Sequence, residues 1–350
     1  MVDRITSEND FLVLVDRCFD LTTPHQLSLR GDDCAELAMP EAICLSSDLF
    51  LEDVHFRTAY FSFYEIGHKA LAVNLSDLAA AGAVPLGFNM NLILPAPTPR
   101  SAVEQLLQGM SELAAAHNLP LTGGDLSQGQ KLGLCISIWG KQAGRKFLRR
   151  GGCRPGDTLF VAADSRPLPL GLARAGLYSL ESLGRGNALS LAPDACKRHL
   201  LPNPLIRAGI AIAKLAPETA LMDLSDGLAR DLPRLLGYNH AGLSLNKRTH
   251  SPEHAPAVSL GAEISLTDCA LHPELLAWCR RSGLNPVEQA VLGGEDYLLL
   301  GSTDKPELLK TIEAEADGFY CLVIGKVNNS GMIMVNGNEF SQTGFDHFSG

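Results

Sequence analysis

The sequence predicts a mixed α/β protein with two lobes of similar size. The chain has 350 residues, of which 46% are hydrophobic, so it is long enough for two domains with substantial cores. Segments with the two-residue alternation of strands also interleave with segments of helical periodicity in both halves. The turn-forming stretch 149–157 separates the halves. We therefore expect an N-terminal domain over residues 1–150 and a C-terminal domain over residues 151–350.

In the N-terminal half, the clearest helix prediction covers residues 63–82. Leu71, Leu75 and Leu78 mark its apolar face, and Gly82 supplies a C-terminal stop. The remaining elements predicted in this half are strands over residues 40–50, 84–94 and 131–140, a short strand over 119–122 that runs into Gly123-Gly124-Asp125, and a helix opening at Ser101.

The C-terminal half has a strand candidate at residues 158–163 and a helix candidate at 206–215. Between them, residues 164–203 are rich in Pro and Ser, and we expect them to be irregular. A strand is predicted over residues 221–225, followed by a helix that begins at Asp226 and ends at Gly237.

Composition excludes several classes of function. The formal net charge of -10, without a long basic block, argues against nucleic-acid binding. The acidic N-terminus does not resemble a signal peptide, and the longest uncharged run, residues 78–99, contains several prolines and is not expected to cross a membrane. The nine cysteines include no CxxC pair. We expect them to be reduced thiols of a cytoplasmic protein, with no zinc site.

Carboxylates recur at the ends of apolar segments, beside Gly or Ser and with almost no Lys or Arg nearby. They occur in Gly31-Asp32-Asp33, Ser47-Asp48, Asn74-Leu-Ser-Asp77, Gly124-Asp125 and Asp223-Leu-Ser-Asp226-Gly227. Such groups repel one another if they converge, unless divalent cations neutralise them. Oxygen-only clusters suit Mg²⁺, which completes its coordination with water and substrate phosphates. The pattern indicates a magnesium-dependent enzyme that acts on phosphates.

The motifs differ in how specific they are. The segment 223–227 is the strongest, because it places three oxygen ligands at a strand–helix junction, where a helix N-terminus also favours phosphate. Gly31-Asp32-Asp33 is equally consistent with an ordinary Asp-rich turn. Gly123-Gly124-Asp125 is consistent either with a turn or with a close approach of phosphate to the backbone. The sequence contains neither a GxxxxGK[ST] loop nor a nucleophile elbow.

Taken in order, these motifs resemble the thiamine-monophosphate kinase family of the aminoimidazole ribonucleotide synthetase superfamily. The resemblance spans residues 8–348. It is carried by Gly31-Asp-Asp-Cys-Ala35, Ser47-Asp48 with Val54-His-Phe56, Lys69-Ala-Leu-Ala-Val-Asn-Leu-Ser-Asp-Leu-Ala79, Gly123-Gly-Asp125, Asp223-Leu-Ser-Asp-Gly-Leu228, Gly293-Gly-Glu-Asp-Tyr297 and Gly344-Phe-Asp-His-Phe348.

The resemblance implies a fold and a reaction. The N-terminal lobe would carry a sheet that forms a barrel with its twin in a homodimer, beside a C-terminal α/β lobe. The reaction would be a direct, in-line transfer of the γ-phosphoryl group of ATP to thiamine monophosphate, assisted by several Mg²⁺ ions. Phosphoryl transfer needs positioning and charge neutralisation more than covalent chemistry, which agrees with a site built from carboxylates.

The resemblance also implies a role for individual residues. The expected metal ligands are Asp32, Ser47, Asp48, Asp77, Asp125, Asp223 and Asp226, of which Asp48, Asp77 and Asp226 are expected to be catalytic. Gly124, Asp125, Arg149 and Ser225 would contact ATP, and His55, Glu295 and Phe345 would contact the thiamine substrate. The aromatic ring of Phe345 suits stacking on a flat heterocycle, and the charge of Glu295 suits a cationic thiazolium.

The chain departs from the family pattern at three places. Leu126 stands where the family usually has Thr, His117 precedes the strand where a Tyr is common, and bulky residues occupy 164–170 in place of a Gly/Ser-rich turn. Two alternatives therefore stay open at this point. One is another ATP- and Mg²⁺-dependent enzyme of the superfamily with a different acceptor, and the other is a catalytically silent nucleotide-binding paralogue.

Overall fold

A computed structural model describes residues 4–5, 7–19, 38–39, 42–237, 260–315 and 317–340. The predicted metal ligand Asp32 and the predicted substrate contact Phe345 lie outside these residues. The chain divides into two compact units. Unit 1 consists of Met1–Leu78, Ala83–Gln142 and Leu200–Pro202, and unit 2 of Ala79–Gly82, Ala143–His199 and Asn203–Gly350.

Unit 1 contains a four-stranded sheet and three helices. In chain order its elements are α1 (Glu8–Cys18), β1 (Ile43–Leu51), α2 (Phe63–Ala80), β2 (Ala83–Pro95), α3 (Arg100–Ala116), β3 (Leu121–Gly129) and β4 (Gly133–Gln142). The strand order is β1-β4-β2-β3, in which β2 and β3 are parallel and the other pairs antiparallel. The predicted helix at 63–82 and the predicted strands at 84–94 and 131–140 are confirmed. The strand predicted to stop at residue 122 instead continues to Gly129, because it pairs with β2 along this whole length.

The two faces of this sheet differ. On one face, Ser46 and Asp48 of β1 lie opposite the fully buried Ile138 and Ile136 of β4. The Ser46 hydroxyl bonds to Asp77 of α2, so α2 covers this face. Because side chains alternate along a strand, Leu45 and Leu49 point to the other face, where both are exposed. The helix-covered face therefore forms the core of unit 1, and the second face is open.

Unit 2 contains a seven-stranded mixed sheet with helices. Its elements are β5 (Thr158–Ala163), α4 (Leu172–Leu183), α5 (Arg185–Leu191), α6 (Pro193–Leu200), α7 (Ile206–Leu215), β6 (Ala220–Asp223), α8 (Leu228–Leu235), β7 (Gly261–Ile264), α9 (Pro273–Ser282), α10 (Pro286–Leu292), β8 (Leu299–Thr303), α11 (Leu309–Glu315), β9 (Tyr320–Asn328), β10 (Ile333–Val335) and β11 (Asn338–Glu339). The strand order is β11-β10-β7-β9-β5-β8-β6. With both sheets in place, the predicted mixed α/β class is confirmed.

The prediction that residues 164–203 are irregular is wrong. The segment contains the whole of α4, α5 and α6. Leu172, Gly176 and Leu180 recur at four-residue spacing in α4 and are all buried, which is the pattern of a helix packed on one side. Prolines at 167, 169 and 193 suggested a loop, yet Pro193 is the first residue of α6, a position where proline is well tolerated.

Two further expectations concern chemistry and location. Each of the eight cysteines that the structure describes is a free thiol. Among the described helices, none combines the length and the hydropathy that a membrane span requires.

Helices α2 and α3 approach each other so closely that their contact excludes a side chain. A Cβ atom on Gly67 of α2 would lie 1.9 Å from the carbonyl oxygen of Leu106 in α3. On the other side of the crossing, a Cβ atom on Gly109 would lie 2.0 Å from the carbonyl oxygen of Tyr64. Both obstacles are backbone atoms, which cannot rotate away as a side chain can. The reciprocal glycines therefore set the distance between the two helices.

Gly67→Ala is expected to lower the free energy of unfolding by about 2 kcal/mol or more, because the helices must separate to admit the methyl group. Urea unfolding followed by circular dichroism measures the change. Gly186→Ala is the matched control. Gly186 lies in α5, is exposed, and has no atom within 4 Å of its Cβ position. There the higher helix propensity of Ala is expected to give a gain of up to about 1 kcal/mol. Equal effects of the two substitutions would contradict the close contact.

Candidate active site

The structure brings Asp48 and Asp77 together in unit 1. Asp48 lies on the helix-covered face of β1, and Asp77 lies in the last turn of α2. Burial and the nearby negative charge of Asp77 raise the pKa of Asp48 to about 6. The hydroxyl of Ser46, two residues before Asp48 and on the same face, donates to Asp77 Oδ2. The two carboxylates form a half-buried pair of like charges, the arrangement that a divalent cation stabilises.

Asn74 lies one helical turn before Asp77 and adds a further oxygen. Its side-chain amide donates to the Ala70 carbonyl at 3.0 Å, and the residue is 1% exposed. Its Oδ1 atom is buried and has no hydrogen-bond partner among the described residues. A buried acceptor without a donor is costly unless a ligand satisfies it. The donor set of Asp48, Asp77 and Asn74 consists of oxygen alone, which fits a hard cation such as Mg²⁺.

The other predicted N-terminal ligands lie elsewhere on the sheet. The Ser47 hydroxyl faces the open side, where it donates to the Ile136 carbonyl at 3.0 Å and lies 2.9 Å from the Ser137 hydroxyl. Asp125 is exposed on β3 and accepts a bond from Ser127 at 3.3 Å. Since β1 and β3 are the two edge strands of the sheet, about 14 Å separates them. Within unit 1, neither Ser47 nor Asp125 joins the pair formed by Asp48 and Asp77.

Gly124 and Leu126 flank Asp125 in β3 and have structural roles. A Cβ atom on Gly124 would lie 1.8 Å from the Met90 carbonyl oxygen, so only glycine permits the close pairing of β3 with β2. Leu126 lies opposite the buried Leu92 in the register of these strands. Adjacent residues of a strand point to opposite faces. The Leu126 side chain therefore does not crowd the carboxylate of Asp125.

His55 follows β1 and is fixed by the backbone. Its Nδ1 accepts the backbone N–H of Leu51 at 3.0 Å, and its ring stacks on Phe50 with 5.8 Å between the ring centroids. Because Nδ1 accepts this bond, the neutral ring carries its proton on Nε2. His55 is thus oriented as a donor through Nε2.

In unit 2, two loop segments that carry predicted site residues pair by backbone hydrogen bonds. The N–H of Glu295 donates to the Ser225 carbonyl at 2.7 Å, and the N–H of Tyr297 donates to the Leu224 carbonyl at 3.0 Å. Both Glu295 and Tyr297 have positive φ angles, an uncommon conformation for residues other than glycine. This pairing places Glu295 beside the segment 223–226, with Asp223 buried at the end of β6.

The Glu295 carboxylate is held by a buried histidine. His199 of α6 is 1% exposed, and its Nδ1 lies 3.1 Å from Glu295 Oε2. The next residue, Asp296, is fully buried and accepts the backbone N–H groups of Gly171 at 2.5 Å and Ala173 at 2.8 Å. Burial raises the pKa of Asp296 to about 7. Asp296 thus anchors the Glu295 segment to the start of α4.

The expectation that almost no Lys or Arg lies near the acid clusters is wrong for Asp226. Arg234 Nη1 donates to Asp226 Oδ2 at 2.6 Å, and Arg230 Nε lies 3.6 Å from the same oxygen. The helix predicted to begin at Asp226 in fact begins at Leu228, so Asp226 precedes it. Four and eight residues separate Asp226 from the two arginines, a spacing that brings them onto the same side as Asp226.

Arg149 lies away from Asp223 and Asp226, the predicted metal ligands of unit 2. Its carbonyl accepts the Leu221 N–H at 3.0 Å, and it forms a bridge with Ala220 at the start of β6, whereas Asp223 ends that strand. Arg149 lines a cavity of about 550 Å³ together with Lys146, Arg150 and Arg154. Within unit 2, the predicted nucleotide contacts Arg149 and Ser225 are therefore at opposite ends of β6.

Some residues of the site were missed from the sequence. Ser46 could have been predicted, because it stands two residues before Asp48 in a strand and therefore shares the face of the sheet on which Asp48 lies. Arg230 and Arg234 could also have been predicted, since they follow Asp226 at helical spacing. The sequence gives no indication of His199, because its contact with Glu295 joins residues 96 positions apart. Among the described residues, no group of three His, Cys, Asp or Glu side chains is placed to hold a metal ion.

Comparisons with known proteins agree with the resemblance seen in the sequence. Residues 31–141 match the family described as AIR synthase related protein, N-terminal domain. The thiamine-monophosphate kinase of Aquifex aeolicus is 30% identical over 91% of this chain and 92% of its own length. That of Escherichia coli strain K12 is 31% identical over 96% and 97%. The solved structure of AaThiL complexed with AMPPCP and TMP matches with a TM-score of 0.70 at 27% identity, covering 97% of each chain.

Removing the charge of Asp48 is expected to stabilise the cation-free protein. The pKa of Asp48 is about 6 in the folded state against 3.8 for the free side chain, so its ionisation opposes folding. This cost is fully present above pH 6 and disappears below about pH 4. Asp48→Asn should therefore raise the free energy of unfolding at pH 7.5 by about 1–2 kcal/mol, after allowance for solvent screening, and by nothing at pH 4.

Thermal unfolding in EDTA at several pH values measures this difference. Asp16→Asn, at an exposed position of α1, is the control and should change stability little at any pH. Addition of Mg²⁺ should stabilise the parent more than Asp48→Asn. An Asp48→Asn variant that is less stable than the parent at pH 7.5 in EDTA would contradict the like-charge pair.

Proposed function

The chain belongs to the thiamine-monophosphate kinase family, and we propose that it performs an in-line transfer of the γ-phosphoryl group of ATP at carboxylates that hold Mg²⁺. The enzyme phosphorylates thiamine monophosphate in an ATP-dependent reaction, so its acceptor is itself a phosphate group. The observation that carries this assignment is identity of 30–31% over more than nine tenths of the chain to enzymes of this name. The complex of AaThiL with AMPPCP and TMP supports ATP and thiamine monophosphate as the two substrates.

We propose that Asp48 and Asp77, helped by the buried oxygen of Asn74, form the principal cation site of unit 1. Ser46 fixes the Asp77 carboxylate, and both carboxylates are half-buried. When bound, Mg²⁺ supplies positive charge that neutralises and orients the phosphate oxygens. Asp32 would belong to the same set by its motif. The acceptor phosphate is already ionised at neutral pH, so the site needs no strong general base.

The remaining assignments follow from the motifs together with the local geometry. Asp223 and Asp226 would hold cations in unit 2, and Ser225 would contact ATP. Glu295, held by His199, would face the thiamine substrate together with His55, which presents Nε2–H as a donor. Gly124, Asp125 and Arg149 would contact ATP, Ser47 and Asp125 would act as further metal ligands, and Phe345 would stack on the substrate ring.

We further propose that the enzyme is a homodimer formed through the open face of the unit 1 sheet. The exposed residues of this face include the apolar Ile43 (41% exposed), Leu45 (68%), Leu49 (57%) and Ile93 (43%), together with the polar Ser47, Asn91, Asp125 and Ser127. Several exposed large apolar side chains on one face often mark an interface. Ser47 and Asp125 lie on the same face but at opposite edges of the sheet. A second copy is therefore the natural way to bring such predicted ligands near one another.

Loss of a single carboxylate should stop the reaction without unfolding the protein. We expect Asp77→Asn and Asp226→Asn to lower kcat for ADP formation by at least about 100-fold, because each weakens cation binding in a phosphoryl-transfer site. A coupled assay with ATP, Mg²⁺ and thiamine monophosphate measures the rate, with free thiamine as the substrate control and Asp16→Asn as the protein control. Full activity in both Asn variants would exclude the carboxylate site. ADP release without thiamine diphosphate would point to a different acceptor.

A charge on the open face should break the proposed dimer. Light scattering coupled to size-exclusion chromatography is expected to give twice the chain mass for the parent and the mass of one chain for Leu45→Glu or Leu49→Glu, because the interface would bury an unpaired carboxylate. Leu12→Glu provides the matched control, since Leu12 is 54% exposed on α1 of the same unit. A parent that already elutes as a monomer at micromolar concentration would refute the proposal.

A further inference from the structure

Arg234 joins two carboxylates through a single nitrogen atom. Its Nη1 donates to Asp226 Oδ2 at 2.6 Å and to Asp231 Oδ1 at 2.9 Å. The side chain of Arg234 is 20% exposed and that of Asp226 25% exposed, so water only partly screens this interaction. A guanidinium therefore occupies the position beside Asp226 where a cation is expected.

Asp231 keeps Arg234 in this position. Asp231 is fully buried, and its second oxygen, Oδ2, accepts the backbone N–H of Asp226 at 2.9 Å. Both oxygens of Asp231 are thus engaged, one by Arg234 and one by the residue that Arg234 also contacts. A buried carboxylate that lost Arg234 would be left without this compensation, which is costly. The arginine is consequently part of a closed triad with Asp226 and Asp231, and not a surface side chain that meets Asp226 by chance.

The charges of this triad affect any divalent cation that approaches Asp226. Arg230 and Arg234 both contact Oδ2 of Asp226. In these ion pairs the other oxygen, Oδ1, is contacted by neither arginine. A cation bound through Oδ1 would lie within a few ångströms of Arg234 and be repelled by it. A cation bound through Oδ2 would have to displace Arg234. In both cases the arginine opposes the cation.

We propose that Arg234, supported by Arg230, is an internal counter-cation that competes with the divalent cation for Asp226. It holds the carboxylate in place when no metal is bound and weakens the binding of the metal. The proposal rests on the proposed role of Asp226 as a metal ligand. It differs from the situation of Asp48, where the charged neighbour that affects the carboxylate among the described residues is another carboxylate, Asp77.

The test is the affinity for Mn²⁺ alone, read from the electron paramagnetic resonance signal of the free ion, without nucleotide or thiamine monophosphate. Arg234→Gln is expected to tighten the Asp226-dependent site by at least about fivefold at low ionic strength, and less in 0.5 M KCl. Arg230→Gln, which leaves the Arg234–Asp231 pair intact, should give a smaller gain of about twofold. Arg166→Gln is the control for net charge, because Arg166 pairs with Glu313 at 3.2 Å in the same unit. It should change the affinity by less than the Arg230 variant does.

A double-mutant cycle with Asp226→Asn assigns the effect to one carboxylate. Asp226→Asn alone should weaken Mn²⁺ binding, and adding Arg234→Gln to it should change nothing further. If Asp226→Asn weakens binding but Arg234→Gln leaves it unchanged or weaker, the counter-cation proposal is overturned while the metal role of Asp226 stands. If Asp226→Asn has no effect on Mn²⁺ binding, both the metal role and the proposal fall.

A variant that leaves the net charge of the triad unchanged guards against a loss of folding. Asp231→Asn combined with Arg234→Gln removes the buried charge together with its partner, and the Asn carbonyl can still accept the Asp226 N–H. This double variant should fold and bind Mn²⁺ at least about fivefold more tightly than the parent. Folded protein with parental affinity would count against the proposal.

Discussion

The repulsion between buried like charges is the constraint on which the site depends. Asp48 and Asp77 are drawn together because β1 and α2 pack face to face, and the packing of apolar neighbours such as Ile136 outweighs the electrostatic cost. Burial, and after it the negative charge of Asp77, raises the pKa of Asp48, so ionisation of this carboxylate opposes folding. A protein that holds two carboxylates in this way gives up stability in its cation-free form. If the pair holds a cation as proposed, its ligands would already be in place before the cation binds.

Unit 2 also brings two carboxylates close together, but there an arginine offsets their repulsion. Asp226 and Asp231 are also close, and burial together with the charge of Asp226 raises the pKa of Asp231 to about 6. Here, however, Arg234 lies against both carboxylates and offsets their repulsion. The turn between β6 and α8 holds these side chains in position. Its carbonyl groups at Leu224 and Ser225 accept the backbone N–H groups of Tyr297 and Glu295. One segment thus carries a proposed metal ligand and also anchors a proposed substrate contact.

The spacing of apolar residues predicted two elements of unit 1. The strand β4 follows from the alternation of its apolar residues, and α2 follows from the spacing of Leu71, Leu75 and Leu78, although the structure buries α2 on most of its surface. The helices α4 to α6 were missed because short helices that start at Gly or Pro have the composition of loops. In the site, the acids at chain positions 48, 77, 223 and 226 were predictable from their local motifs. The contacts of His199 and Arg234 were harder to predict, since tertiary packing decides which side chains lie beside a given carboxylate.

The register of the unit 1 sheet explains why one motif can serve two surfaces. In Ser46-Ser47-Asp48, alternation sends Ser46 and Asp48 to the helix-covered face and Ser47 to the open face. The same rule separates Asp125 from Leu126 in β3, so the leucine packs opposite Leu92 while the carboxylate faces outward with Ser47. A hydroxyl in place of Leu126 would point to the helix-covered face, away from Asp125. The departure at position 126 therefore alters the core of the sheet and leaves the Asp125 carboxylate available to a ligand on the open face.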